Sequence, residues 1–150
     1  MTLHWKLTVD CNDPHAQADF WAEALGYRLE DHSGLIGVLR GAGQLPDGST
    51  TRVHDRDAFR DYAAVRHPDD SFDESSDMGL GRRLLFQRVP EGKTAKNRMH
   101  LDLHVGDKDR EAEVARLEAL GAKILYEQDQ PIGVWTTMAD PEGNEFCVEK

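Results

Sequence analysis

The tetrapeptide Glu23-Ala24-Leu25-Gly26 returns as Glu118-Ala119-Leu120-Gly121, and in both places it closes a helix-patterned stretch that follows a strand-patterned one. A duplication on this scale restricts the chain to folds built from two like modules. In the first copy Asp13 caps the helix and Pro14 fits its first turn. Ala16, Phe20, Trp21, Ala24 and Leu25 form an apolar stripe, with Phe20 and Trp21 as core anchors, and Gly26 ends the helix. The second helix runs from about Asp109 to Leu120, with Val114, Leu117 and Leu120 on one side and Gly121 as its stop. Further strands are predicted at Tyr27–Glu30, Leu35–Arg40 and Arg83–Val89, and again at Lys123–Tyr126, Val134–Ala139 and Glu145–Glu149. Each half therefore reads β-α-β-β-β, with one helix to cover the apolar back of its own sheet.

The strand that opens each half alternates strictly. From His4 to Cys11, Trp5, Leu7, Val9 and Cys11 share one face, and His4, Lys6, Thr8 and Asp10 the other. From Asn97 to Val105, Met99, Leu101, Leu103 and Val105 oppose His100, Asp102 and His104. Three titratable side chains in a row are an uncommon way to build a wet face, so this face is read as the lining of a cavity. The block from Gly41 to Gly81 has no counterpart in the second half and is too long for an ordinary connection. Within it 57–66 is predicted as a short helix carrying Phe59, Tyr62 and Ala63, and the acidic, serine-rich 69–77 as mobile. A lid over a pocket and a plain surface excursion both suit such a block. His54 and His67 have no partner at ligand spacing and are read as solvated, and Glu91–Lys96 as a polar linker.

At 150 residues the chain fits one domain, organised as a module over 1–90 with the 41–81 insertion and a module over 97–150. Asp and Glu outnumber Lys and Arg by 28 to 18, which argues against nucleic acid as a partner. Neither a leader pattern nor a bilayer-length apolar run is present, and Cys11 and Cys147 do not suggest a disulfide framework. A cytoplasmic setting without membrane contact is the expectation.

The two β-α-β-β-β copies, the Leu-Gly helix stops, Asn97-Arg98-Met99-His100-Leu101-Asp102-Leu103 and Asp140-Pro141-Glu142-Gly143-Asn144-Glu145-Phe146 together resemble the vicinal oxygen chelate superfamily, and within it the bacterial glyoxalase-like domains. The resemblance implies an α+β fold in which two βαβββ modules form a curved, cupped mixed sheet with helices on its outer face. It also implies a homodimer. Members of this superfamily include glyoxalases, ring-cleaving dioxygenases, epimerases, fosfomycin-inactivating thiol transferases and drug-sequestering proteins without chemistry. Those with metal chemistry place two histidines and two carboxylates on the first and last strands of each half. Here only His100 matches clearly. The first-strand position falls at Lys6, or by a one-step slip at Trp5 or His4; the fourth-strand position falls near Leu85 or Gln87, and the last at Cys147. No cofactor is assigned, and a divalent metal is kept as the weaker alternative, with His100, His104 and Cys147 or Glu145 as an alternative zinc set. For Cys147 a small buried hydrophobe is the plainer role.

The expected function is a glyoxalase-like domain that binds a small molecule in a pocket lined by His4, Lys6, Thr8, Gln87, His100, Asp102, His104, Trp135, Glu145 and Cys147. As an enzyme it would be a lyase or isomerase working beside a carbonyl, with His100 or Glu145 as base and Lys6 stabilising the enolate oxygen. The alternatives are a protein that sequesters a drug or metabolite, for which an acidic chain would tolerate a cationic guest, and an interaction module with a vestigial pocket.

Overall fold

Strand alternation and a helix that caps it from behind organise both halves. The computed structural model describes residues 1–150 and divides into two units, Met1–Glu91 and Gly92–Lys150. The fold is α+β, and each unit contains a βαβββ module with a mixed four-stranded sheet.

In the first unit β1 (Leu7–Cys11) runs parallel to β6 (Arg83–Arg88), followed across the sheet by β5 (Tyr62–Arg66) and β2 (Arg28–Leu29), both antiparallel steps. The register places Val9, Phe86 and Ala63 in one row, and Leu7, Leu84, Val65 and Leu29 in the next. Helix α1 (Pro14–Leu25) covers this back with Ala18, Phe20, Trp21 and Ala24, all buried. Asp13 caps α1 by accepting from the N–H groups of His15 and Ala16, and Gly26 ends it at φ 68°, a left-handed conformation that costs glycine little.

Several predicted elements of this half differ from what is found. Leu35–Arg40 is not a strand but part of α2 (Ser33–Gly41): the Asp31 carboxylate accepts from the Ser33 N–H at 3.0 Å, and Ile36 is completely buried. Short apolar runs fit either period, and here the local Asp31 bond and the Ile36 contact select the helix. The 57–66 stretch is not a helix. Arg56–Phe59 forms β4, which pairs with β3 (Thr50–Val53), and Tyr62–Arg66 is a strand of the main sheet, its Ala63, Ala64, Val65 and Arg66 all buried. The hairpin turns on His54 and Asp55 at φ 50° and 60°, the two consecutive left-handed residues a type I′ turn requires. His54 is not simply solvated, since its Nε2 lies 2.9 Å from Asp19 Oδ1. His67 packs edge-on against Tyr27 and accepts from the Asp69 N–H.

The acidic 69–77 stretch is pinned rather than mobile. Phe72 lies under the Arg66 guanidinium at 3.9 Å, Asp77 accepts from Arg66 and from the Asp31 N–H, and Asp70 receives a bidentate pair of bonds from Arg82. At the centre of this network Glu30 accepts from Arg83 at 2.6 and 2.8 Å and from the Gly79 N–H at 2.8 Å, with His32 Nε2 2.9 Å away. Burial opposes ionisation of Glu30, but the bonds from Arg83, His32 and Gly79 outweigh it and hold its pKa at about 2.

In the second unit β7 (Asp102–His104) runs parallel to β10 (Glu145–Glu149), which continues antiparallel to β9 (Gly133–Ala139) and β8 (Lys123–Gln130), the same strand order as the first unit's sheet. Strand β7 is shorter than the predicted 97–105, although Leu101 still accepts from the Cys147 N–H. Helix α3 (Arg110–Leu120), capped by Asp109, buries Val114 and Leu117; Met138, Phe146 and Val148 form the sheet's buried back. The turn before β10 is fastened by Asp140, whose carboxylate accepts from the N–H groups of Glu142 and Asn144.

Candidate functional site

Side-chain parity builds the second unit's front. Cys147 pairs with Asp102 on one side and Thr137 on the other, Glu149 pairs with His104 and Trp135, and Tyr126 lies opposite Thr137. Paired residues share a face, so Asp102, His104, Trp135, Glu145 and Cys147 all stand on the side away from the buried back, and His100 reaches Asp102 from just ahead of β7. Six of the sequence-predicted site residues are thereby brought to one face. The other four belong to the first unit: His4 and Lys6 are exposed ahead of β1, Thr8 is exposed on β1, and Gln87 is half-buried on β6 in register with Asp10.

The centre of the front is polar and tightly connected. His100 Nε2 lies 3.3 Å from Asp102 Oδ1, and Cys147 Sγ lies 3.5 Å from Thr137 Oγ1. Cys147 is 8% exposed, as expected for a small buried side chain, and a hydroxyl and a carboxylate, from Thr137 and Asp102, stand beside its sulfur. Burial pushes its thiol above the ordinary value; the Thr137 hydroxyl works against this, and the Asp102 carboxylate adds to it. The unaided thiol is therefore a poor nucleophile at neutral pH.

Glu145 is already engaged. Lys93 Nζ donates to one of its oxygens at 2.8 Å and the Asn97 N–H to the other at 3.0 Å. Burial alone would raise this carboxyl, but those two donors hold it at about 2. His104 lies 3.4 Å from Glu149 and is 68% exposed. Thr137, Tyr126, Glu149 and Lys93 were missed from the sequence; the first three become visible once the strand register is known, whereas Lys93 lies in a stretch without periodicity.

The two-histidine, two-carboxylate set implied by the superfamily does not fit this chain. Lys6 (or Trp5 or His4 by a one-step slip), Leu85 or Gln87, and Cys147 fall at three of its four positions, no carboxylate among them, and hard divalent ions need several oxygen donors. The second unit offers instead one imidazole, one carboxylate and one thiol, from His100, Asp102 and Cys147, with all donor atoms within 4.8 Å of one another. His104 and Glu145 of the predicted zinc set are not among them.

In the first unit a cavity of about 30 Å³, room for water alone, lies among His15, Asp19, Glu30, His32, His54 and Phe59. These histidines already meet the Phe59 carbonyl, Glu30 and Asp19, which marks the cluster as structural.

The family model described as the glyoxalase-like domain matches residues 6–149. No curated protein matches the sequence significantly. Among solved structures, the bleomycin-binding protein of Streptomyces verticillus, complexed with copper(II)-bleomycin, is 18% identical with a TM-score of 0.52, covering 99% of this chain and 96% of its own. The fosfomycin resistance protein FosX from Mesorhizobium loti is 11% identical with a TM-score of 0.59, covering 99% and 91%. FosX from Listeria monocytogenes, complexed with manganese(II) and a dihydroxypropylphosphonic acid, is 9% identical with a TM-score of 0.60, covering 99% and 90%. At these identities the likeness establishes the fold. No helix is long and apolar enough to cross a membrane.

Proposed function

We propose, given that this chain belongs to the glyoxalase-like domain family, that it binds and sequesters a cationic small molecule on the front of its second sheet rather than moving a proton beside a carbonyl. The observation that carries this reading is that both expected bases are engaged, His100 with Asp102 at 3.3 Å and Glu145 with Lys93 and the Asn97 N–H. A general base works best with a pKa near the operating pH, and a carboxylate held at about 2 by Lys93 and Asn97 is a weak base at neutrality. Lys6, the expected oxyanion partner, is exposed ahead of β1.

Charge and aromatic rings favour a cation. Asp102 and Glu149 flank the front with Trp135 and Tyr126 on the same face, and an aromatic ring beside a carboxylate attracts a cationic guest through its quadrupole as well as its charge. The net charge of -10 works in the same direction. The bleomycin-binding protein of Streptomyces verticillus, similar in fold, holds copper(II)-bleomycin, which makes bleomycin a suitable first probe.

The test pairs calorimetry with mass spectrometry. Saturable binding of bleomycin, with the compound recovered unchanged and no turnover of the methylglyoxal–glutathione hemithioacetal, is the expected result. Turnover that disappears in Glu145→Gln or in His100→Ala would overturn the reading.

A further inference from the structure

We infer that His100, Asp102 and Cys147 form a binding site for zinc or another sulfur-seeking divalent ion, in place of the hard-metal set that the superfamily implies. Cys147 on β10 sits directly across from Asp102 on β7, and the Leu101 carbonyl accepts from the Cys147 N–H at 2.9 Å, which fixes the thiol against the start of β7. His100 is two residues before Asp102 and already lies 3.3 Å from its carboxylate. The three donor atoms fall within 4.8 Å of one another, whereas donors around a tetrahedral zinc, with bonds of about 2.0–2.3 Å, stand roughly 3.5 Å apart. The difference is within reach of side-chain rotation at His100 and Asp102, which are 38% and 45% exposed and open to an ion arriving from solvent. The buried Cys147 supplies the fixed point, and the Thr137 hydroxyl 3.5 Å from its sulfur is an outer partner of the kind that orients a ligand.

The donor chemistry decides which ion. One nitrogen, one oxygen and one sulfur suit zinc or cobalt, while magnesium, calcium and manganese prefer shells of oxygen that this front does not assemble. With three protein donors a fourth position stays open. The inference does not rest on the sequestration reading: the metal site stands or falls on these three residues, with or without an organic guest.

The test is a cobalt(II) titration of the full chain after chelator treatment, read by the near-ultraviolet thiolate-to-cobalt absorption and requiring neither activity nor an organic ligand. One equivalent should produce the band, one equivalent of zinc should abolish it, and excess manganese(II) or magnesium should leave it unchanged. Cys147→Ser should remove the band and Cys11→Ser should keep it. His100→Ala, a change at an exposed side chain that leaves the core alone, should weaken cobalt binding at least 10-fold while circular dichroism stays the same. The absence of a saturable thiolate band, its survival in Cys147→Ser, or unchanged affinity in His100→Ala would each overturn the inference.

Discussion

Glu30→Gln should destabilise the first unit by about 3 kcal/mol, and adding Arg83→Met should not deepen the loss. The Glu30 side chain is fully buried and that of Arg83 is 8% exposed, with two bonds between them and two more groups, His32 and the Gly79 N–H, aimed at the same carboxylate. A glutamine turns one acceptor into a donor among donors and leaves the guanidinium charge without its counterion. Breaking one side of a buried pair typically costs about 3–5 kcal/mol, and the residual exposure of Arg83 argues for the lower end. Replacing both by apolar groups, Glu30→Leu with Arg83→Met, removes the stranded charge and should lie within about 2 kcal/mol of the parent, the remainder being the lost bonds to His32 and Gly79. Urea unfolding followed by the fluorescence of buried Trp21, with Trp5 and Trp135 changed to Phe, reports on this unit. A single variant that loses less than about 1 kcal/mol, or a Leu/Met double variant less stable than Glu30→Gln, would refute the reasoning.

Acid should act through the same carboxylates. The folded pKa values of Glu30 and Glu145 lie at about 2, below the ordinary 4.5, so their contribution is complete above pH 4.5 and declines as pH falls toward 2. Urea midpoints should stay level from pH 7 to about 5 and drop below it, with a shallower drop in Glu30→Gln; an equal slope in the variant would contradict this. Gly79→Ala should cost about 1–3 kcal/mol in a thermal melt, because the new Cβ would meet Arg66 Cβ at 2.7 Å, and an unchanged melt would mean that the 67–82 segment can shift. Both thiols are buried, and that of Cys147 is also raised, so Ellman's reagent at pH 7 should label neither quickly until urea is added; rapid labelling of the native chain would show the front to be looser than described.

Helices α1 and α3 were legible because Asp13, Pro14 and Gly26, then Asp109 and Gly121, mark their ends with groups whose local geometry needs no tertiary context. The last three strands were also placed, although β8 runs on to Gln130 rather than ending at Tyr126. What failed was the middle of the first half, where Leu35–Arg40 and Phe59–Val65 carry apolar residues compatible with either period and the outcome depends on distant partners: Ile36 closing into the interior, and Ala63–Arg66 pairing with β6. Low hydrophobicity made 69–77 look disordered, yet its order comes from charge, through Asp70, Asp77 and the Phe72 ring bound to arginines distributed over the sequence. Strand parity gathered His100, Asp102, His104, Glu145 and Cys147, and Trp135, chosen apart from parity, falls in register with Glu149 on the same face. Whether Glu145 is available could not be read from strand parity, because its partner Lys93 lies in a segment with no pattern of its own.

Whether the front of the second sheet is where a ligand sits is tested most directly by two-dimensional amide NMR spectra of the labelled full chain during titration with metal-free bleomycin. Saturable shifts centred on Asp102, Trp135, Cys147 and Glu149, reduced in Trp135→Ala, are the predicted result. Shifts centred instead on Lys6, Thr8 and Gln87 in the first unit, or shifts that persist unchanged in Trp135→Ala, would contradict it.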